Sequence, residues 1–341
     1  MKNTNMDLSK LSQILQTEPK FRFKQAYQAL YQDLVERWAD VSVLPLALRE
    51  RLDEECPLDI KSELSVSSKK TEKALITFDD GVSVETVLMR HRDGRNTVCV
   101  SSQAGCPLGC AFCATGAAGF TRNLSAEEIV EQYFFWARRL NHLEEEAKID
   151  NVVFMGMGEP FLNYDEFIKA AKTLNDPEKF NLGARRLSVS TAGIVEGIKK
   201  LAAEKIQMNL AVSLHAPLDS LREQLMPIGK KYPIPVLMRA VDDYIRKTGR
   251  RVMFEYVMIK NINDGEDDAV TLINLMKKPL HLVNLIPYNA TGKFQPSSPA
   301  RIKAFREKLE AAGVAVTERL SQGRDIDGAC GQLAGGKGVN K

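Results

Sequence analysis

TVCVSSQAGCPLGCAFC, residues 97–113, runs from a β-like apolar stretch into three crowded cysteines, Cys106, Cys110 and Cys113. The cysteines therefore sit on a loop at the carboxyl end of a strand, and a helix signal opens after them at Ser125. Glycines at 105 and 109 let the backbone wrap a ligand closely. Three thiolates on one short loop can each hold one iron of a 4Fe-4S cubane while the fourth iron stays open. An electron-transfer ferredoxin would fill that position with a fourth cysteine. The alternative is a zinc site completed by Cys99, a histidine or Cys330. Against it, zinc sites generally arrive as paired C-x-x-C units, and no second pair exists here.

Downstream, apolar runs recur at VVFMG (152–156), RLSVST (186–191), MNLAVSL (208–214), VMFEYVMI (252–259) and HLVNLIP (281–287), each followed by a helical segment. The clearest helix opens with a capping box, Ser125 and Glu128, ahead of Ile129, Tyr133, Trp136, Ala137 and Leu140. About six βα units in succession imply an α/β fold with a parallel sheet, either a partial (β/α)6 barrel or an open doubly wound sheet. Both place active-site residues at the strands' carboxyl ends. There the sequence offers Gly156-Met157-Gly158-Glu159-Pro160, with close backbone approach and a carboxylate able to receive an ammonium group. It also offers Ser190 in SVSTAG, the run Ser213-Leu214-His215, and Asn289 after Pro287-Tyr288. Each is an ordinary turn taken alone; their recurrence on one barrel face suggests a ligand pocket.

Working outward, residues 1–65 read as a small helical domain, with Phe23, Ala26, Leu30, Leu34 and Trp38 at helical spacing. Residues 66–98 read as a β-rich connection, 99–320 as the barrel, and 321–341 as a C-terminal segment with a mobile Gly-rich tail after Cys330. The net charge of +3 excludes a polycation that coats nucleic acid indiscriminately, although Lys20, Arg22 and Lys24 make a local basic cluster. No apolar run reaches membrane-spanning length and the start is too polar for a signal peptide, so a cytoplasmic protein with no membrane partner is expected. Six cysteines in 341 residues are too few for a disulfide scaffold. Cys330 lacks the apolar neighbours that would make it core filler, and it is a candidate nucleophile.

Taken together, PKFRFKQ, VETV at 84–87, CVSSQ-x-GC, GFTRNLS, GMGEP, SVSTAG, SLHAP, LMPI and DID-x-ACGQL span nearly the whole chain. This combination resembles the RlmN/Cfr family of radical S-adenosylmethionine (SAM) RNA methyltransferases, and RlmN in particular. The resemblance implies a partial barrel of the radical-SAM type, with a 4Fe-4S cluster on Cys106, Cys110 and Cys113. It implies SAM held by Gly158, Glu159, Ser190, Ser213, Leu214, His215 and Asn289. It further implies Cys330 as a methyl-carrying cysteine, Cys99 as the thiol that resolves it through a transient disulfide, and Glu85 as a proton acceptor. The implied reaction is methylation of adenine carbon 2 in 23S rRNA and in tRNA beside the anticodon, or, in the Cfr manner, of carbon 8. The N-terminal basic cluster would serve as an RNA clamp. A flavodoxin or ferredoxin as electron donor and a monomeric state complete the expectation. Two departures stand out: Gly328 replaces a more usual alanine, and Ser321-Gln322-Gly323 lacks the usual arginine–glycine pair.

Overall fold

The computed structural model describes residues 5–67, 70–143, 147–319 and 322–335; Ser321 and the glycine-rich tail beyond Gly335 lie outside the described residues. Three helices come first: α1 (Leu11–Gln16), α2 (Lys20–Tyr31) and α3 (Leu46–Glu55). Helix α2 stops at Tyr31 rather than reaching Trp38. Leu34 has φ +56°, a left-handed conformation that breaks the helical path. Trp38 still reaches the core, from a short 3-10 turn, and its indole N–H donates to the Cys56 carbonyl at 2.8 Å.

Four strands follow, β1 (Ser62–Ser67), β2 (Thr71–Thr77), β3 (Ser83–Arg90) and β4 (Asn96–Val100), paired antiparallel in order. The chain then makes a small hairpin of β5 (Gln103–Gly105) and β6 (Phe120–Asn123) around α4 (Ala114–Ala118). From there it alternates α5 (Ala126–Leu143), β7 (Asn151–Phe154), α6 (Tyr164–Asn175), β8 (Leu187–Thr191), α7 (Val195–Leu201) and β9 (Asn209–Ser213). Next come α8 (Asp219–Leu225), α9 (Ile234–Thr248), β10 (Val252–Met258), α10 (Glu266–Leu275), β11 (His281–Pro287), α11 (Pro299–Ala311) and β12 (Val316–Glu318).

One ten-stranded sheet runs β1-β2-β3-β4-β7-β8-β9-β10-β11-β12, and every pairing from β4 onward is parallel. The parallel strands neighbour one another in chain order, with no reversal and so no topological switch point. That excludes the doubly wound alternative. Strand β4 does not pair with β12, so the barrel is partial, and β1–β3 extend it on the β4 side. This joins the β-rich connection to the barrel in a single sheet.

Helix α5 shows why the units form where they do. The Ser125 N–H donates to the Glu128 carboxylate at 2.8 Å and the Glu128 N–H to the Ser125 hydroxyl at 3.2 Å, a reciprocal cap. Beyond it Ile129, Phe134, Trp136 and Leu140 are fully buried. The N-terminal helices dock on the same helix. Tyr31 and Phe134 meet Phe180 edge-on at 5.1 and 4.8 Å, and Arg138 donates to the Leu58 carbonyl at 2.7 Å.

Candidate active site

The cysteine loop is returned to the strand ends by the β5–β6 hairpin. Gly105 has φ +77°, and a Cβ there would lie 1.9 Å from the Gly119 carbonyl oxygen, so only glycine fits. Cys106 N–H donates to that same carbonyl at 2.9 Å. The loop is tied on its other side by Ala111 N–H, which donates to the Leu225 carbonyl at 2.8 Å.

Beside it, the Gly156–Glu159 turn presses on residues 101–103. Ser101 donates its hydroxyl to the Glu85 carbonyl at 2.6 Å and accepts from Met157 N–H at 2.8 Å. Gly158, at φ +98°, would bring a Cβ to 2.5 Å from the Gln103 Cβ. The Glu159 carboxylate, which the sequence offered as an ammonium receptor, also braces the strand ends. It is buried and accepts from Phe161 N–H at 3.0 Å and Ala192 N–H at 2.6 Å, tying the ends of β7 and β8 together. Burial pushes its pKa up to about 7, against the pull of those N–H donors.

His215 adopts φ +57° and is buried, and its Nδ1 accepts from Val257 N–H at 3.1 Å. That bond leaves the neutral ring's proton on Nε2. Burial, with Arg222 adding to it, pushes the imidazole pKa down to about 3. The Phe112 ring stands edge-on at 4.8 Å. Asn289 is likewise engaged within the protein. Its amide donates to the Cys330 carbonyl at 3.0 Å and accepts from Arg324 Nε at 2.8 Å.

One cavity brings most of the expected residues together. Cys106, Cys110 and Cys113 line it together with Cys99 and Cys330. Gly158, Glu159, Ser190, Ser213, His215 and Asn289 form other parts of its wall. Two expected residues do not line it. Leu214 is fully buried, with its N–H bonded to the Glu255 carbonyl at 3.1 Å. Glu85 is buried behind the wall rather than on a strand surface, and it grips the C-terminal segment.

That segment is packed, not loose, through Gly335. Ala114 N–H donates to the Gly331 carbonyl at 2.8 Å, Thr115 donates its hydroxyl to the Leu333 carbonyl at 2.6 Å, and Leu333 is buried. Arg319, just after β12, is a site residue that sequence reasoning missed. Its Nη1 lies 3.6 Å from the Cys330 sulfur and 3.6 Å from the Met155 sulfur. Glu255 was also missed, although a carboxylate inside the apolar run VMFEYVMI was a visible signal. It is buried and accepts from Asn284 Nδ2 at 2.7 Å. Cys99 is buried, which pushes its thiol up to about 12, with the Cys330 charge adding to that and Arg319 opposing it.

The donor set suits a cluster better than a single ion. Among the described residues no group of three or more His, Cys, Asp or Glu side chains is placed to hold a single metal ion. A cubane spreads its irons, so each cysteine of the loop need reach only one of them. Burial pushes the Cys106 thiol up to about 12 and the Cys110 thiol upward too, with neighbouring cysteines adding to both. Such thiols become thiolates only where metal charge compensates them.

An open barrel with a C-x-x-x-C-x-x-C loop at its strand ends defines a radical SAM enzyme, and residues 100–273 match the model of the Radical SAM superfamily. Membership implies SAM and an iron–sulfur cluster as cofactors. Within that class the chain belongs to the RlmN family of RNA methyltransferases. It is 44% identical to a "probable dual-specificity RNA methyltransferase RlmN" of Syntrophomonas wolfei, over 96% of this chain and 95% of the relative. It is 46% identical to the protein of the same description from Chloroflexus aurantiacus, over 96% and 91%. The crystal structure of a radical SAM methyltransferase from Sphaerobacter thermophilus superposes with a TM-score of 0.91 at 43% identity, covering 98% of this chain and 99% of that one. Among the described residues no helix is long and apolar enough to cross a membrane.

Proposed function

We propose that the protein methylates carbon 2 of an adenosine, in the peptidyl-transferase region of 23S rRNA and beside the anticodon of tRNA. The dual specificity in the relatives' names supports two RNA classes. The observation that carries the reading is the convergence of Cys99 and Cys330 with the cysteine trio on one cavity. Cys106, Cys110 and Cys113 would hold a 4Fe-4S cluster, and Gly158, Glu159, Ser190, Ser213, His215 and Asn289 would shape the SAM pocket, with Leu214 packed behind it. When bound, SAM supplies a methyl group to Cys330 and, with the cluster and an electron from a flavodoxin or ferredoxin, a 5′-deoxyadenosyl radical.

The chain's own part is then positional and nucleophilic. Arg319 stands 3.6 Å from the Cys330 sulfur that accepts the methyl group. Cys330 presents that carbon to an adenine unstacked from its neighbours. Once that carbon is joined to the adenine and the ring has given up the proton it carried there, Cys99 attacks the Cys330 sulfur: the S–S bond forms as the sulfur–methylene bond breaks, and the released electron pair takes up a proton to complete the product methyl group. Lys20, Arg22 and Lys24 contact RNA phosphates.

Mass spectrometry of rRNA and tRNA nucleosides after incubation with the reconstituted enzyme, SAM and reductant tests this reading. The expected product is 2-methyladenosine from both RNAs. A carbon-8 product, or RNA methylation by Cys330→Ala at the native rate, overturns it.

A further inference from the structure

The segment carrying Cys330 is gripped on both flanks by one ion pair far from it in sequence. Lys73 on β2 and Glu85 on β3 belong to neighbouring antiparallel strands, with Lys73 opposite Val87 and Leu75 opposite Glu85. This diagonal places both side chains on one sheet face, within reach of each other. Their charges meet at 2.7 Å, with side-chain exposures of 14% and 8%. The other Glu85 oxygen accepts from the N–H groups of Ala334 at 2.6 Å and Gly335 at 3.1 Å. Lys73 Nζ donates to the Asp327 carbonyl at 3.4 Å. The carboxylate thus holds the chain after Cys330, and the ammonium holds it before.

Resting on the reading of Cys330 as methyl carrier, we propose that Lys73 and Glu85 form a latch that sets the position of Cys330. Lys73 is a positioning residue, and Glu85 takes its positioning part through these contacts. Its carboxylate already serves one cation and two N–H donors, and it does not line the cavity. Removing either partner of a buried pair strands the other charge, so either loss opens the latch. The two losses are therefore strongly non-additive. Small misplacements of a reacting group cost rate on the order of a hundredfold.

The test uses the holoenzyme and the variants Lys73→Met, Glu85→Gln, their combination, and Lys73→Arg. Hydrogen exchange over residues 322–335 reads the latch without catalysis. Each single loss speeds exchange roughly tenfold or more, the double variant adds little, and Lys73→Arg stays close to native. RNA methylation falls in parallel, on the order of a hundredfold, while SAM cleavage to 5′-deoxyadenosine continues. The latch is overturned if Lys73→Met keeps native exchange and methylation. It is equally overturned if Glu85→Gln alone keeps native exchange yet accumulates a covalent protein–RNA adduct, the signature of a missing proton acceptor. Native methylation by Cys330→Ala would instead remove the methyl-carrier reading, with the exchange data still deciding the latch.

Discussion

His215→Asn isolates the price of holding a neutral imidazole at the cavity wall. Burial and Arg222 push its pKa from 6.5 to about 3. A group depressed in the folded state contributes its full stability above its unfolded pKa and loses it as pH falls toward the folded one. Integrating between those values, the native chain loses about 0.1 kcal/mol at pH 7.5 and about 2 kcal/mol at pH 5.0 through this residue. Asparagine tolerates the left-handed backbone that His215 adopts at φ +57°. Its Oδ1 can also replace Nδ1 as acceptor for the Val257 N–H. What it gives up is the edge-on contact with Phe112, a pH-independent loss of about 1 kcal/mol. Urea unfolding of iron-free native and variant protein at pH 7.5, 6.0 and 5.0 reads the difference. The variant starts less stable, and the gap shifts in its favour by about 2 kcal/mol on reaching pH 5.0. A gap that stays constant within about 0.5 kcal/mol across that range would refute the neutral, buried imidazole.

Three other substitutions follow from contacts in and beneath the site. Glu131 on α5 is buried with Oε1 unpartnered, and burial, with Glu128 and Asp79 adding, pushes its pKa up to about 8. Its stability contribution is present below pH 4.5 and lost as pH rises toward 8, so Glu131→Gln stabilises by up to about 3 kcal/mol at pH 7; an equal gain at pH 4.5 and 7 in urea unfolding would count against this. Thr86 donates to the Cys99 carbonyl at 2.8 Å and accepts from Trp136 Nε1 at 3.1 Å. Thr86→Val orphans both groups, and the urea midpoint should report a loss of roughly 2–4 kcal/mol. Arg319 Nη1 lies 3.6 Å from the Cys330 sulfur. Arg319→Met should lower RNA methylation on the order of tenfold while SAM cleavage to 5′-deoxyadenosine continues, and Arg319→Lys less; native methylation by Arg319→Met would mean the guanidinium does not act on that thiol.

The sequence disclosed the elements whose chemistry lies in short spacings. The cysteine trio, the Ser125 cap and the strand-end turns are local, and the apolar runs that became β7 to β11 are long enough to show their period. Elements built by distant partners were hidden. Strand β12 is three residues long with two of them polar, and β5 and β6 are three and four residues long and pair irregularly at Gly105. Neither carries a periodic signal. Glu85 reads as one carboxylate in a strand, because its partners at Ala334 and Gly335 lie 249 and 250 residues away. Leu34 ends α2 through a backbone angle that apolar spacing cannot encode.

The same hidden contacts explain how a partial barrel encloses its chemistry. The edge strands β1 and β12 do not pair with each other, and the C-terminal segment contacts strands near both ends of the sheet. Glu85 and Lys73 hold it toward β3 and β2, while Asn289 and Arg319 hold it at the ends of β11 and β12. A closed sheet would fix the mouth permanently, whereas contacts made by single side chains can be exchanged one at a time. On the proposed reading, an adenine within a folded RNA would have to be unstacked to reach an enclosed carbon. If Cys330 carries the methyl group as proposed, its place on the closing segment makes access and alignment one event: the contacts that hold that segment are the contacts that would aim Cys330.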